Sequence, residues 1–130
     1  MIDASVLVGA GRGALDLEAA AATLDEEDVA IAAITAAELL HGVHRAPSPA
    51  ARGKREAFVE RILAVIPVLP FDAVVARAHA RLLAQVTAAG LAVGAHDLAI
   101  ASTAIAHGRR VITRDERTLV RITGLDLVRL

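Results

Sequence analysis

The sequence predicts an α/β domain of three layers (α/β/α), with helices on both faces of a central, mostly parallel sheet. Three observations predict it. Short runs rich in Val, Ile and Leu alternate with longer segments of helical period. The short runs are continuously apolar, as strands covered on both faces are, and do not alternate apolar with polar. Apolar residues make up 55% of the 130, too many for a disordered chain. No repeat or linker interrupts them, so one domain over residues 1–130 is expected.

In order, Ile2 to Val8 reads as a buried strand, closed by Gly9, Gly11 and Gly13. Ala14 to Leu24 has helical spacing, and Asp25 to Asp28 is a polar turn. Val29 to Ile34 reads as a second buried strand, with Thr35 opening a helix to about His44. After the loop Pro47-Ser48-Pro49, Ala50 to Val65 is amphipathic, with Phe58, Ile62, Val65 and Ile66 on one face. Pro67 to Phe71 is a third strand, and Asp72 is placed to cap a helix to Ala88. Gly90 to Gly94 is a loop. Asp97 to His107 is apolar nearly all round, hence central, with Gly108 in the position that ends helices. Val111 to Thr113 is a fourth strand, Asp115 to Ile122 a short helical turn, and Leu127 to Leu130 a last strand.

Composition removes several functions. With no Cys there is no disulfide, thiolate nucleophile or Cys-based zinc site. Two Phe, without Trp or Tyr, argue against a nucleic-acid platform built on stacked aromatics. A net charge of −1 argues against a general polyanion binder. Basic residues nevertheless cluster at Arg52, Lys54, Arg55 and Arg61, and again between Arg109 and Arg129. Around a carboxylate site, such clusters suit a phosphate backbone. The chain opens without a basic, then apolar leader, and no uncharged apolar stretch reaches ~18 residues. A soluble, cytoplasmic protein that does not enter a membrane is expected.

Four acids stand where acids are unusual. Asp3 lies inside an apolar run, where an unpaired carboxylate costs several kcal/mol. Glu38 lies on an apolar helix, although Thr35-Ala36-Ala37-Glu38 also fits a capping box. Asp97 begins the most apolar helix and Asp115 follows a strand, and either could be a helix cap. Together they fall where an open parallel sheet gathers its ligands, beyond the carboxyl ends of the strands. Carboxylates crowded there repel unless a cation joins them. Hard oxygen donors favour Mg²⁺ or Mn²⁺, which suits hydrolysis of a phosphodiester.

The segments carrying these acids resemble the PIN-domain family, and within it the VapC toxins. Ile2-Asp3-Ala4-Ser5-Val6-Leu7-Val8 is similar to the family's opening strand, an acid followed two residues later by Ser or Thr. Ala36-Ala37-Glu38-Leu39-Leu40-His41-Gly42 resembles the second motif, Gly94-Ala95-His96-Asp97-Leu98-Ala99-Ile100-Ala101 the third, and Val111-Ile112-Thr113-Arg114-Asp115 the fourth. The resemblance implies a PIN-like fold and a Mg²⁺-dependent endoribonuclease, with Mn²⁺ able to substitute. Asp3, Glu38, Asp97 and Asp115 would hold the metal, and Ser5 and Thr113 would support the site. It also implies an RNA substrate, a homodimer and a VapB-type antitoxin. An apolar surface near Leu39, Leu40 and Val43 is the expected antitoxin contact. The fourth motif departs from the family, which often carries a further Asp where Thr118 stands here. The alternative is therefore a degenerate, non-catalytic PIN-like module that binds RNA or protein. A phosphorylated receiver domain is excluded: the first strand lacks an acidic pair, and Lys54 is the only lysine. A dehalogenase-type phosphatase needs Asp-x-Asp where this chain has Asp3-Ala4-Ser5.

Overall fold

A computed structural model of the chain describes residues 1–13, 19 and 22–130. Its elements run α1 (Ala4–Gly11), a 3₁₀ turn at Glu26–Asp28, β1 (Ile31–Ala32), α2 (Ala33–His44), α3 (Pro49–Val65) and β2 (Val68–Leu69). They continue through α4 (Ala73–Ala88), α5 (Ala95–Ala106), β3 (Val111–Thr113), a second 3₁₀ turn (Leu119–Arg121) and β4 (Leu127–Arg129).

The strands are short, and the first three residues join them. β1 pairs with β2 and β3 with β4, both in parallel. Between the pairs, Ile2 N donates to Ala30 O at 2.7 Å, and Ile112 N donates to Met1 O at 2.8 Å. Asp3 N in turn donates to Ile112 O at 2.9 Å. Ile2 is thus a one-residue middle strand, giving the order β2, β1, Ile2, β3, β4. This is the predicted parallel sheet, in abbreviated form.

Its pleat sorts side chains into two cores. On one face Ile2, Ile31 and Ile112 pack with α1, α2 and α3, through residues such as Val6, Leu39 and Val59. On the other, Met1, Ala32 and Val111 pack with α4 and α5, through Leu82, Leu98 and Ala101. Helix α5 is central as expected: Leu98 through Ala104 are all buried. Ser48 caps α3 and Asp72 caps α4, each accepting a backbone N–H at 3.1 Å. No helix among the described residues is long and apolar enough to cross a membrane.

Several expected boundaries move. Ile2 to Val8 is not a strand, because α1 begins at Ala4. Asp3 caps that helix by accepting Ala4 N at 2.8 Å. Since the neighbouring chain turns into α2 at Ala33, residues past Asp3 have no strand to pair with on that side. For the same reason the second strand is two residues long, and α2 starts two residues before Thr35. Val65 does not share the buried face of Ile62; it is 76% exposed, at the end of α3. The helix expected over Ala14 to Leu24 falls largely outside the described residues.

Candidate functional site

Asp3 sits at the end of the middle strand, 8% exposed, with both oxygens engaged. Oδ1 accepts Ala4 N, and Oδ2 accepts Ser5 Oγ at 2.7 Å and Thr113 Oγ1 at 2.9 Å. Thr113 closes β3, so its hydroxyl reaches Asp3 from the adjacent strand. Arg114 N donates to Ser5 Oγ and Asp115 N to Thr113 Oγ1, both at 3.0 Å. Ser5 and Thr113 therefore tie the fourth motif to the first. The Arg114 side chain lies where a Cβ on Gly9 would stand, so a larger residue at position 9 would displace it.

Glu38 stands in the second turn of α2. The capping box read from Thr35 and Glu38 does not form: Ala32 is the cap residue, and it makes no side-chain cap bond. Thr35 Oγ1 is buried with no hydrogen-bond partner among the described residues. Glu38 instead faces α5, where His96 Nδ1 lies 2.6 Å from its Oε1. Burial pushes the Glu38 carboxyl up from its ordinary value. The His96 hydrogen bond and charge oppose that rise, and the charges of Asp3 and Asp97 add to it.

Asp97 is the third residue of α5 and does not cap it. Gly94 holds the cap position, without a side-chain bond. An acid in the first helical turn is normally favoured in its charged form. Here the pKa goes up instead. Burial is the largest cause and the Asp3 charge the next, a hydrogen bond with Thr118 pulls the other way, and Asp115 adds repulsion. Thr118, which occupies the place of a missing acid, thus supports Asp97.

Asp115 behaves differently. Arg117 grips it through Nε at 2.8 Å and Nη2 at 2.6 Å, and Arg117 N donates to Oδ1 at 3.2 Å. The guanidinium bonds are the main reason that its pKa falls to about 2.

Three acids from three elements therefore gather beyond the carboxyl ends of the strands, close enough that the charge of Asp3 helps raise the pKa values of Glu38 and Asp97. Asp115 stands beside them with its charge already countered. Among the described residues no three His, Asp or Glu side chains converge into a ready-made cage for a metal. Mg²⁺ commonly takes only one or two carboxylates and completes its shell with water, so this donor set fits it. Sequence reasoning missed His96 and Arg117. His96 precedes Asp97 directly, but its pairing with Glu38 depends on how α5 packs on α2. Of the apolar residues expected to contact a partner, Leu39 and Val43 are each 5% exposed, and Leu40 packs against the same core.

Comparison with known proteins gives a consistent result. The PIN domain family model matches residues 1–125. Ribonuclease VapC1 of Rickettsia felis is 30% identical over 128 residues, covering 98% of this chain and 93% of that protein. VapC ribonuclease Y4jK of Sinorhizobium fredii is 38% identical over 109 residues, covering 78% and 74%. Among solved structures, VapBC2 from Rickettsia felis bound to a promoter DNA fragment aligns with a TM-score of 0.86 at 26% identity, covering 100% of this chain and 97% of that one. VapBC-5 from Mycobacterium tuberculosis aligns at 0.76 and 29% identity, covering 99% and 96%.

Proposed function

Because this chain belongs to the PIN-domain family, on the branch of the VapC ribonucleases, we propose that it is the endoribonuclease toxin of a toxin–antitoxin pair, hydrolysing RNA with a divalent metal. The observation that carries the reading is the gathering of Asp3, Glu38 and Asp97 at the sheet edge, where burial and then the charge of Asp3 raise the Asp97 pKa, and burial with the charges of Asp3 and Asp97 raises that of Glu38. Such a set is a liability to the fold without a cation and a ligand set with one.

Asp3, Glu38 and Asp97, with Asp115, would hold Mg²⁺ or Mn²⁺, which when bound supplies Lewis acidity at the phosphodiester and an acidified water. The chain's own part is placement. Ser5 and Thr113 hold Oδ2 of Asp3, and Ala4 N holds Oδ1, so this carboxylate is fixed before any ligand arrives. His96 holds Oε1 of Glu38 and leaves Oε2 for a further contact. Asp115 keeps its charge at every ordinary pH, and Arg117 must swing away before both its oxygens are free.

The partners of this reading are single-stranded or looped RNA, a second copy of the chain, and a VapB-type antitoxin. Solved relatives in complex with an antitoxin support the last of these. One observation favours the non-catalytic alternative: Arg117 occupies Asp115 while Thr118 replaces an acid. One assay separates the two. Cleavage of a model RNA in Mg²⁺ that stops in excess EDTA supports the enzyme, and cleavage undiminished by EDTA rules out the metal mechanism.

A further inference from the structure

Arg117 stands where the backbone is pinned and the side chain is free. Two residues before it, Asp115 N donates to Thr113 Oγ1 at 3.0 Å. One residue after it, the Thr118 side chain is hydrogen-bonded to Asp97. Both flanks are thus fastened to the acid cluster, and Arg117 N itself donates to Asp115 Oδ1 at 3.2 Å. The guanidinium has no such anchoring. Its side chain is 86% exposed, and among the described residues it is held by Asp115 alone, with Nε on Oδ1 and Nη2 on Oδ2.

A two-pronged pair of this kind engages both oxygens of the carboxylate. Exposed ion pairs are weak, however, and even a favourable one shifts an equilibrium by only about fivefold. Asp115 is therefore covered, but lightly. Arg117 also borders a depression of about 380 Å³ at the ends of β3 and β4, lined with it by Arg114, Asp115, Glu116 and Arg129. Arg129 is held there by Glu116 at 3.3 Å. Arg114 has no carboxylate partner among the described residues, and its side chain lies along α1 at Gly9, where a missing Cβ makes room for it. An anion seated in the depression thus meets one uncompensated guanidinium in Arg114 and a second in Arg117 that is only loosely engaged. The fork that grips a carboxylate fits a phosphate equally well, so Arg117 can change partners without any movement of its backbone.

We propose that Arg117 is an exchangeable guard on Asp115: without RNA it competes with the divalent cation for this carboxylate, and an RNA phosphate arriving beside Arg114 draws it away. The inference rests on the ribonuclease reading and adds how that site is regulated. Its consequence is linkage. A phosphate that releases Asp115 raises the affinity for the cation, and the cation must then raise the affinity for RNA by the same factor. The centre reaches its full metal affinity only in the company of its substrate. Asp3 offers no such control, since its partners are two hydroxyls and a backbone N–H that stay in place.

The test is Mn²⁺ binding, read from the EPR signal of the free ion, with and without a saturating 2′-O-methyl oligoribonucleotide whose integrity is checked on a gel. Without the oligonucleotide, Arg117→Gln is expected to bind Mn²⁺ more tightly than the wild type, by up to about fivefold. Arg117→Lys keeps the charge but not the fork, and should fall between the two. With the oligonucleotide the three proteins should converge. Arg129→Gln removes an equal charge from the same depression and should behave as the wild type throughout. A merely structural role for Arg117 predicts the opposite sign, a looser loop and weaker Mn²⁺ binding in Arg117→Gln. Arg117→Gln that binds Mn²⁺ no more tightly than the wild type overturns the proposal. So does an equal gain in Arg129→Gln, which would be a general field effect. A gap that persists with the oligonucleotide overturns it too, because RNA would then not draw Arg117 away. A wild type that binds Mn²⁺ and cleaves RNA, but shows no gap, defeats the proposal alone; one that does neither defeats the ribonuclease reading itself.

Discussion

His96 Nδ1 lies 2.6 Å from Glu38 Oε1 and links α5 to α2 across the acid cluster. A contact this short requires a proton between the two atoms, on Nδ1 or on the carboxyl. Its hydrogen bond opposes the effect of burial on Glu38. In His96→Ala the Glu38 carboxyl should therefore titrate at a higher pH than in the wild type. Carboxyl ¹³C NMR of the metal-free protein reads this directly. A midpoint that stays in place would mean that the contact is absent in solution.

Asp97→Asn tests whether the acids act as one site. The Asp97 pKa is raised in the fold. The stability tied to its protonated form is present below the unfolded value, about 3.9, and lost as pH rises through the folded pKa. At neutral pH the ionised carboxylate is thus a burden, and Asn should leave the metal-free protein equally or more stable. Cleavage should cease. The wild type should gain on the order of 2.7 kcal/mol from Mg²⁺ at a hundredfold excess over Kd, and the variant much less. Thermal melts with and without Mg²⁺, beside one cleavage assay, decide it.

Thr113→Val removes a hydroxyl that donates to buried Asp3 and accepts from Asp115 N. The loss should be about 1–3 kcal/mol, because a carboxylate and an N–H are both left short of a partner. Thr113→Ser should recover most of it. Urea denaturation of the three proteins makes the comparison.

Arg110 holds Asp28 through Nε at 2.8 Å and Nη2 at 2.6 Å, and Asp28 is 4% exposed. The guanidinium bond holds the Asp28 carboxyl below its ordinary value. Its contribution to stability is present above the unfolded pKa and disappears as pH falls through the folded one. Arg110→Met should destabilise the fold at pH 7, because it leaves the buried Asp28 carboxylate without its guanidinium partner. The gap between the two proteins should narrow below about pH 4. A gap independent of pH would point to lost packing instead.

The sheet, its two covered faces and the central α5 were legible in the sequence because they rest on apolar runs and period. What escaped depends on contacts distant in sequence. Val6-Leu7-Val8 is strand-like in composition, yet it is helical because the neighbouring strand ends at Ala32. Thr35 and Glu38 have the spacing of a capping box, but the helix begins at Ala33, so the hydroxyl is buried inside it. The four acids stood out because each is misplaced locally. The His96 contact with Glu38 and the Arg117 grip on Asp115 leave no such local mark.

The one-residue middle strand also bears on how the protein is made. Asp3 leaves the ribosome well before its partner Thr113, which lies 110 positions later. At roughly 5–20 residues per second, several seconds of synthesis separate the two. During that interval Ile2 has no β3 beside it, and Asp3 lacks the hydroxyl that fixes it. A nascent chain can carry Glu38 and even Asp97 without arranging them around Asp3. The acid centre is completed only once β3 has been made, so a product truncated before β3, or a translation complex stalled there, does not expose the cell to a working cutter.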